Sequence, residues 1–529
     1  MSKQADLDRQ DSDPHSAAGY GHILKTSTLM GLSTGLNLVL AAVRTKIFAM
    51  LLGPSGMGLM GALSSIADLT RNLAGLGLQN SGVRQIARAQ AEGDEQRLGV
   101  SMHTLLWASA VMAFLGALVL WAGAPWISQW TFGTSNHALA VGVLALAVFF
   151  RLIADGQGAV LQGMRCIPSL AKEATVGSVL SVLVGVPWVI FLGHDGIAPA
   201  LVGVAGVSAA VAWWYGHPWV VPRPRVDRLI WHRETRALVR LGLTFMASGF
   251  VVLGAGYAVR LILIRHGSLV EAGLFQSAWA LGGLYVGLVL QAMGADFYPR
   301  LVGAAKDNVL CNRMVNEQAL MGLLLCGVGS LATLTLAPWV LTLFYSAEFS
   351  AAAHTLRWIC LGMTLKVITW PVGTLIIAKG AQARFLSTDL VWAAVQVGLA
   401  AWWIEPLGLE GIGMAFFAAY ACQALLLWPM AHRLSGFSWD HAVIKTGVLL
   451  AFLMATSFAL WRWLPSPWAW TWGGIATVLA AHQSWRHLSR LVAVTSHPTG
   501  IKGTVAIHQA ISWMRRIAKA PRPPQESAR

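Results

Sequence analysis

Six cations lie inside long apolar runs of this sequence, and they are Arg44, Lys46, Arg71, Arg151, Arg260 and Lys366. An ammonium or guanidinium group at membrane depth costs a few kcal/mol unless it meets water, a counter-charge or a bound anion. Two of the six have a carboxylate at helical spacing. Asp68 is three residues from Arg71, and Asp155 is four residues from Arg151, so each pair shares a helix face and is predicted to form a local ion pair.

The other four cations have no acidic neighbour at helical spacing. Lys46 and Arg260 can lie near a helix end, where a long side chain reaches the membrane surface. Lys366 is different, because it stands in the middle of the apolar run "WICLGMTLKVITW". The surplus of positive charge predicts an anionic ligand such as phosphate, pyrophosphate or an acidic sugar. The predicted binding residues are Arg44, Lys46, Arg151, Arg260 and Lys366.

Four carboxylates are candidates for coupling transport to a proton or sodium gradient, namely Asp68, Asp155, Glu173 and Asp296. For Glu173 and Asp296 the alternative is a position at the cytoplasmic membrane surface. No His, Cys, Asp or Glu spacing typical of a metal site occurs, so we expect no resident metal and no cofactor.

The composition predicts an all-α integral membrane protein, because 56% of the 529 residues are hydrophobic and only 12% are charged. Fourteen apolar windows are long enough, at about 20 residues, to cross a bilayer. They fall near residues 24–52, 56–82, 98–121, 138–162, 173–192, 197–215, 241–264, 273–297, 319–344, 355–378, 387–404, 411–429, 442–460 and 467–483.

The distribution of the 38 lysines and arginines predicts the orientation. If the N-terminus is cytoplasmic, 29 of them fall in the termini and the cytoplasmic loops, six fall inside helices, and three fall in the opposite loops: Arg265, Arg357 and Arg462. Cytoplasmic loops of membrane proteins carry this excess. The net charge of +15 therefore indicates orientation and contact with anionic lipid rather than binding of nucleic acid. Both termini are predicted to be cytoplasmic.

Several markers recur at nearly one offset, as an internal repeat requires. Arg44 corresponds to Arg260, and Arg84 corresponds to Arg300, each 216 residues later. Because each copy holds six helices, an even number, both copies cross the membrane in the same sense. Parallel repeats of this kind form two lobes around a shared cavity in secondary transporters.

The predicted organisation follows from the repeat and the composition. It comprises a disordered cytoplasmic segment (1–22), an N-terminal lobe (23–216), a cytoplasmic linker (217–240), a C-terminal lobe (241–432), two additional helices (433–490) and a basic cytoplasmic tail (491–529). Within the tail, residues 505–518 have the pattern of an amphipathic helix on the inner leaflet, and a disordered tail is the alternative.

The sequence does not indicate an enzyme. "GMGLMG" (56–61) satisfies GxGxxG, but it joins two predicted membrane helices instead of a strand and a helix. No GxxxxGK[ST] motif for ATP occurs in the sequence. The longest predicted external loop, 122–137, is too short to hold a catalytic domain.

Longer stretches of the chain resemble a known family. They are "LLGPSGMGLMGAL" (51–63), "LAGLGLQNSGVRQIA" (73–87), "DFYPRL" (296–301), "AEFSAAAHTLRW" (347–358) and "LKVITWPVGTLIIAKGAQARF" (365–385). Together they resemble the polysaccharide transporter branch of the MOP flippase superfamily, the Wzx-like O-antigen and lipid-linked oligosaccharide translocases. The resemblance covers about residues 22–435, so the last two helices and the tail depart from it.

The resemblance implies a MATE-like fold and alternating access in a bacterial inner membrane. The implied substrate is an undecaprenyl-diphosphate-linked O-antigen or exopolysaccharide unit of the kind used for lipopolysaccharide, moved from the cytoplasmic to the periplasmic leaflet. A polysaccharide polymerase and a chain-length regulator are the implied partners. The alternatives are a MATE-type multidrug exporter, a peptidoglycan lipid-precursor flippase and, from another class, a membrane glycan polymerase or ligase.

Overall fold

The computed structural model describes residues 14–221, 228–463 and 466–495, and every regular element in these ranges is a helix. The α-helices are α1 (Pro14–Gly75), α2 (Leu78–Glu92), α3 (Glu95–Phe132), α4 (Ala138–Gly163), α5 (Ile167–Leu192), α6 (Ile197–Gly216), α7 (Arg228–His266), α8 (Leu269–Gly303), α9 (Asn308–Thr335), α10 (Ala337–Phe344), α11 (Ala353–Ala378), α12 (Gln382–Ser435), α13 (His441–Trp463) and α14 (Ser466–Thr495). Short 3₁₀ turns cover Gly193–Gly196, His217–Trp219 and Ala347–Ala352.

Two of the long helices are broken at a glycine. Gly53 in α1 has φ 60° and ψ −171°, and Gly408 in α12 has φ 57° and ψ −139°. Residues with a Cβ are strained at such angles, whereas glycine is not. Each break divides the helix into two helical arms. The gaps between the predicted windows fall at these two glycines.

By length and hydropathy, the described chain contains thirteen of the predicted fourteen membrane-crossing helices. Ten stretches of the described chain are long and apolar enough to span a bilayer. Three of these stretches contain two helices each: Ser33–Gly75, Ile167–Trp219 and Gln382–Ser435. The remaining long helix is α14, which lies beside α13 and α9. The chain is a multi-pass membrane protein.

The helices pack in two groups. The first contains α1 and α3 to α6, the second contains α7 to α9, α11 and α12, and α13 and α14 attach to α9. We call the end of the bundle that carries α2 the linker end, and the end that carries the Gly53 break the corner end. The groups meet where α1 contacts α7 and α8 and where α3 contacts α7.

Glycines let the two groups approach most closely. Near the corner end, Gly58 of α1 crosses Gly273 of α8, and a Cβ atom on either glycine would overlap a backbone carbonyl oxygen of the other helix. Near the linker end, Gly77 and Gly242 approach in the same way. These crossings bring backbone against backbone, so small residues are required there.

Helix ends differ from the predicted domain boundaries. Helix α1 begins at Pro14, inside the segment predicted to be disordered, and α7 begins at Arg228, inside the predicted linker. Helix α14 continues to Thr495, past the predicted start of the tail. Each residue added to an existing helix gains a hydrogen bond without a new nucleation cost, so helices continue beyond the apolar window. Residues 1–13 and 496–529, including the predicted amphipathic segment, lie outside the described residues.

Candidate functional site

Two ion pairs connect α1 to α4. Arg71 donates from Nε to Asp155 Oδ2 and from Nη2 to Asp155 Oδ1, both at 2.6 Å. Arg151 Nη1 donates to Asp68 Oδ1 at 2.5 Å. The prediction of local pairs within each helix is therefore wrong: every partner is on the opposite helix. Packed helices let a guanidinium face a carboxylate end-on with two hydrogen bonds, a geometry that matches the planar group.

Both pairs are shielded from solvent to an intermediate degree. The side chains of Arg71 and Asp155 are 36% and 18% exposed, and those of Arg151 and Asp68 are 26% and 40% exposed. The Coulomb attraction and the desolvation cost of such half-buried pairs are both larger than for surface ion pairs and smaller than for fully buried ones. They satisfy four charges at membrane depth and link α1 to α4.

Arg44 has no such partner. It lies on the first arm of α1, is half-buried, and makes no hydrogen bond or ion pair with any residue that the structure describes. The charge that acts on it most strongly is that of Arg151, which repels it. The sequence-based expectation that Arg44 is unpaired agrees with this geometry.

Two polar cavities border the ion pairs. The first cavity, of ≈ 520 Å³, lies between α1, α4, α5 and α6, and its charged lining residues are Arg44, Asp155 and Glu173. The second cavity, of ≈ 340 Å³, holds Asp68 and Arg71 and includes Leu253 of α7, so it reaches the junction of the two helix groups. Asp155 lines both cavities.

Arg260 lies beside this region on α7. Its Nε and Nη2 donate to Gln276 Oε1 at 3.2 and 2.6 Å, and its Nη1 donates to the Gly256 carbonyl oxygen at 3.0 Å. These partners are neutral, so they leave the positive charge uncompensated. Asp68 attracts it electrostatically from the other helix group.

The structure places Lys46 and Lys366 away from the two cavities. Lys46 Nζ donates to the Thr342 carbonyl oxygen at 2.8 Å, which connects α1 to α10 at the corner end. Lys366 is half-buried in α11, lines neither polar cavity, and has no side-chain partner among the described residues. The five predicted cations therefore separate into a group around the ion pairs and two lysines that line neither polar cavity.

The predicted coupling carboxylates also separate. Asp296 Oδ2 accepts from Arg300 Nη1 at 2.8 Å in an exposed pair near the linker end of α8, which favours the surface alternative for Asp296. Glu173 lines the first cavity and has no side-chain partner among the described residues. The region around the ion pairs thus contains one more positive group than negative, and its members are Arg44, Arg71, Arg151, Arg260, Asp68, Asp155 and Glu173.

Sequence reasoning missed Arg71 as a cavity residue, because the neighbouring Asp68 made it look satisfied within its own helix. It also did not single out Asp389 of α12 as a buried acid. Asp389 is 6% exposed, accepts a hydrogen bond from Gln423 Nε2 at 3.1 Å, and lines neither polar cavity. The available signal was a single acid at the start of an apolar run.

Arg357 was assigned to an external loop, and the structure corrects this. It lies in α11 and is 2% exposed. Its guanidinium carbon lies 4.1 Å from the centre of the Trp461 ring, and its Nε donates to the Leu334 carbonyl oxygen at 3.3 Å. Arg357 is thus covered by Trp461 of α13 and by the end of α9, and this packing is not visible in the local sequence.

Comparisons with known proteins agree with this architecture. The model of a family described as "Polysaccharide biosynthesis protein" matches residues 23–304. The lipid III flippase of Escherichia coli K12 is 24% identical over 414 residues, covering 76% of this chain and 96% of the relative, and the lipid III flippase of Shigella flexneri matches to the same extent.

Solved structures show the same fold at low identity. The lipid II flippase MurJ, in an inward closed conformation, superposes with a TM-score of 0.65 at 12% identity over 87% of this chain and 99% of that one. A multidrug resistance MATE family transporter of the MOP superfamily, in an inward-facing conformation, superposes with a TM-score of 0.63 at 18% identity over 76% and 96%.

Proposed function

Because the chain belongs to the polysaccharide biosynthesis protein family, we propose that it is an inner-membrane flippase of the MOP superfamily that acts on undecaprenyl-diphosphate-linked oligosaccharide. It moves the glycan from the cytoplasmic to the periplasmic leaflet by alternating access. The glycan is an O-antigen or exopolysaccharide repeat unit. The relatives support a lipid-linked substrate, since the curated matches are named as flippases for lipid III.

The observation that carries this proposal is the unpaired Arg44 in a polar cavity next to two further arginines. Guanidinium groups bind phosphate through paired hydrogen bonds, and an uncompensated one at membrane depth is stabilised when an anion arrives. A diphosphate carries enough charge to contact Arg44 and Arg71 together. The sugars then occupy the serine-rich part of the first cavity, near Ser178, Ser181 and Ser208.

The second helix group contributes the remaining cations in this mechanism. Arg260 has only neutral hydrogen-bond partners, and Lys366 has no described partner, so both can contact the head group as the lobes rock. The rocking occurs about the Gly58 and Gly273 crossing. Lys46 then stabilises the junction between the lobes at the corner end through its hydrogen bond to Thr342.

We propose a proton or sodium gradient as the energy source, with Asp68, Asp155 and Glu173 as the titrating or ion-binding groups. Each lines one of the polar cavities. A polysaccharide polymerase and a chain-length regulator are the proposed partners, since the flipped unit must be polymerised on the far side. Both termini lie on the cytoplasmic side in this proposal.

The experiment is translocation of a fluorescent undecaprenyl-diphosphate oligosaccharide in vesicles that contain the purified protein. We expect the wild-type chain to translocate it and the Arg44→Ala, Lys366→Ala double variant to lose translocation while still inserting. The matched control is Arg313→Ala, which removes an exposed cation that pairs with Glu317 near the linker end of α9. Unchanged translocation in the double variant would refute the assignment of the cations.

The same vesicles distinguish the rival functions. Translocation of a peptidoglycan lipid precursor in preference to the oligosaccharide lipid would identify the precursor flippase. Export of a cationic dye without lipid translocation would identify the multidrug exporter. Elongation of the glycan would identify a polymerase.

A further inference from the structure

An apolar groove runs beside the second cavity, between the second arm of α1 (54–75), α3 and α7. Its volume is ≈ 460 Å³, and its wall includes Leu69, Leu73, Leu115, Val119, Ile127 and Tyr257. Near the corner end, the Tyr257 hydroxyl and the Thr131 hydroxyl are hydrogen-bonded at 2.6 Å, which joins α7 to α3. The groove has no assigned ligand.

The groove and the charged cavity occupy neighbouring stripes of one helix. On the second arm of α1, Asp68, Arg71 and Gly75 line the cavity. Leu69, which directly follows Asp68, and Leu73, which stands between Arg71 and Gly75, line the groove. Side chains at i, i+3, i+4 and i+7 share a helix face, so the two stripes run side by side. An amphiphile with a charged head and an apolar chain fits this pairing.

On α3 the two spaces border each other. Met112 lines both the cavity and the groove, and Leu115, Val119 and Ile127 continue the groove toward the corner end. Between Met112 and Ile127 the helix advances about 22 Å at 1.5 Å per residue. This is more than half of the roughly 30 Å hydrocarbon thickness of a bilayer. The groove can therefore hold a long extended chain.

The groove wall is open rather than packed. Leu73 is 41% exposed, Leu115 is 43% exposed and Val119 is 69% exposed. These side chains gain apolar contact when a hydrocarbon chain lies along them. The charged cavity lies toward the linker end and the groove extends from it toward the membrane interior. A lipid in the linker-end leaflet has the same direction, with its head group at the linker end and its chain toward the membrane interior.

We propose that this groove binds the polyprenyl chain of the substrate while its diphosphate meets Arg71 in the second cavity. The inference rests on the proposed function and adds the route of the lipid tail. A polyprenyl diphosphate is favoured because the groove borders a cavity whose charged lining residues are Arg71, Asp68 and Asp155. A diphosphate can replace Asp155 as the bidentate partner of Arg71, and one chain can lie along the groove.

The first test is photo-crosslinking of the full chain in vesicles that contain a long-chain polyprenyl diphosphate among phospholipids. Benzoylphenylalanine replaces Val119 in one variant and Leu118 in the matched control. Leu118 is the next residue on α3, is 48% exposed, and is not part of the groove wall. We expect a polyprenyl diphosphate adduct at position 119 at about ten times the yield at position 118, since a tenfold preference corresponds to about 1.4 kcal/mol of specific binding. Equal yields at both positions, or adducts of phospholipid alone, would overturn the proposal.

The second test fills the groove. We expect Val119→Trp to slow translocation of the oligosaccharide lipid about tenfold relative to Leu118→Trp, because an extra indole displaces the chain at a cost of about 1.4 kcal/mol. Binding of inorganic pyrophosphate, which has no chain, should be equal in the two variants. Equal translocation by both variants would overturn the assignment of the groove as the polyprenyl binding site and leave the proposed function intact. No translocation by the wild-type chain would overturn the proposed function, and the groove assignment with it.

Discussion

Arg71 on α1 and Asp155 on α4 are joined by two hydrogen bonds of 2.6 Å, although an oppositely charged neighbour of each stands on its own helix. Asp68 turns to Arg151 instead. Four charged side chains that could form ion pairs within their own helices thus form ion pairs between α1 and α4 instead. The arrangement makes the wall between the two polar cavities depend on contacts between α1 and α4.

The coupling between Arg71 and Asp155 should be measurable by a double-mutant cycle. We expect replacement of both residues by alanine to give a coupling free energy of about 2 kcal/mol in unfolding, between the values for exposed and buried pairs. The matched cycle on Arg71 and Asp68, which share a helix but not an ion pair, should give less than about 0.5 kcal/mol. A larger coupling in the second cycle would mean that the pairing within the helix dominates.

Arg44 should dominate the binding of a small anion. Arg44→Ala is expected to weaken inorganic pyrophosphate binding by about 2 kcal/mol, or roughly thirtyfold, as for the loss of a charged hydrogen bond. Arg44→Lys should recover part of the affinity, because the charge remains while the planar fork is lost. Calorimetric titration of the purified chain measures both. Equal affinity of the alanine variant and the wild-type chain would remove Arg44 from the binding site.

The crossing of α1 and α8 should tolerate no side chain at Gly273. A Cβ atom there would overlap the Pro54 carbonyl oxygen, so we expect Gly273→Ala to destabilise the protein by about 1–3 kcal/mol through overpacking. Gly287 is on the same helix and has open space around its Cβ position. Gly287→Ala should be neutral or stabilising by up to about 1 kcal/mol. Thermal unfolding followed by tryptophan fluorescence compares the two, and a harmless Gly273→Ala would contradict the close approach.

Trp461 should hold α13 against the second helix group through its contact with Arg357. Trp461→Leu removes the ring that faces the buried guanidinium, and we expect a loss of about 2 kcal/mol of stability. Trp463→Leu is the matched control, because Trp463 is on the same helix and is 83% exposed. Chemical unfolding of both variants gives the difference. Equal stabilities would show that the cation contact contributes little.

Much of the fold was accessible from the sequence because its cause is local. A run of about 20 apolar residues crosses the bilayer whatever surrounds it, so the windows located thirteen helices that are long and apolar enough to do so. The glycines at 53 and 408 interrupt such runs and mark the breaks in α1 and α12. Helix ends were predicted less well, as α7 shows by starting at Arg228, because helices extend into the membrane surface for reasons that hydropathy does not measure.

The site was less accessible because its causes are tertiary. Spacing alone places Asp68 and Arg71 on one face, but the choice of partner depends on which helix packs opposite. For Arg44, no acid stands at helical spacing in the sequence, and no described residue forms an ion pair with it, although Asp155 and Glu173 line the same cavity. Lys46 shows what spacing alone cannot predict. It is two residues from Arg44, yet Lys46 contacts α10 at the corner end whereas Arg44 lines the first cavity.

The shared carboxylate of Asp155 has a further consequence. It forms part of the partition between the two polar cavities, and it is held there by Arg71 alone among the described residues. If an anion binds Arg71 as proposed, we expect the freed carboxylate to rotate aside, so that the two spaces become a single chamber. In that case the bound anion itself enlarges the compartment that holds it.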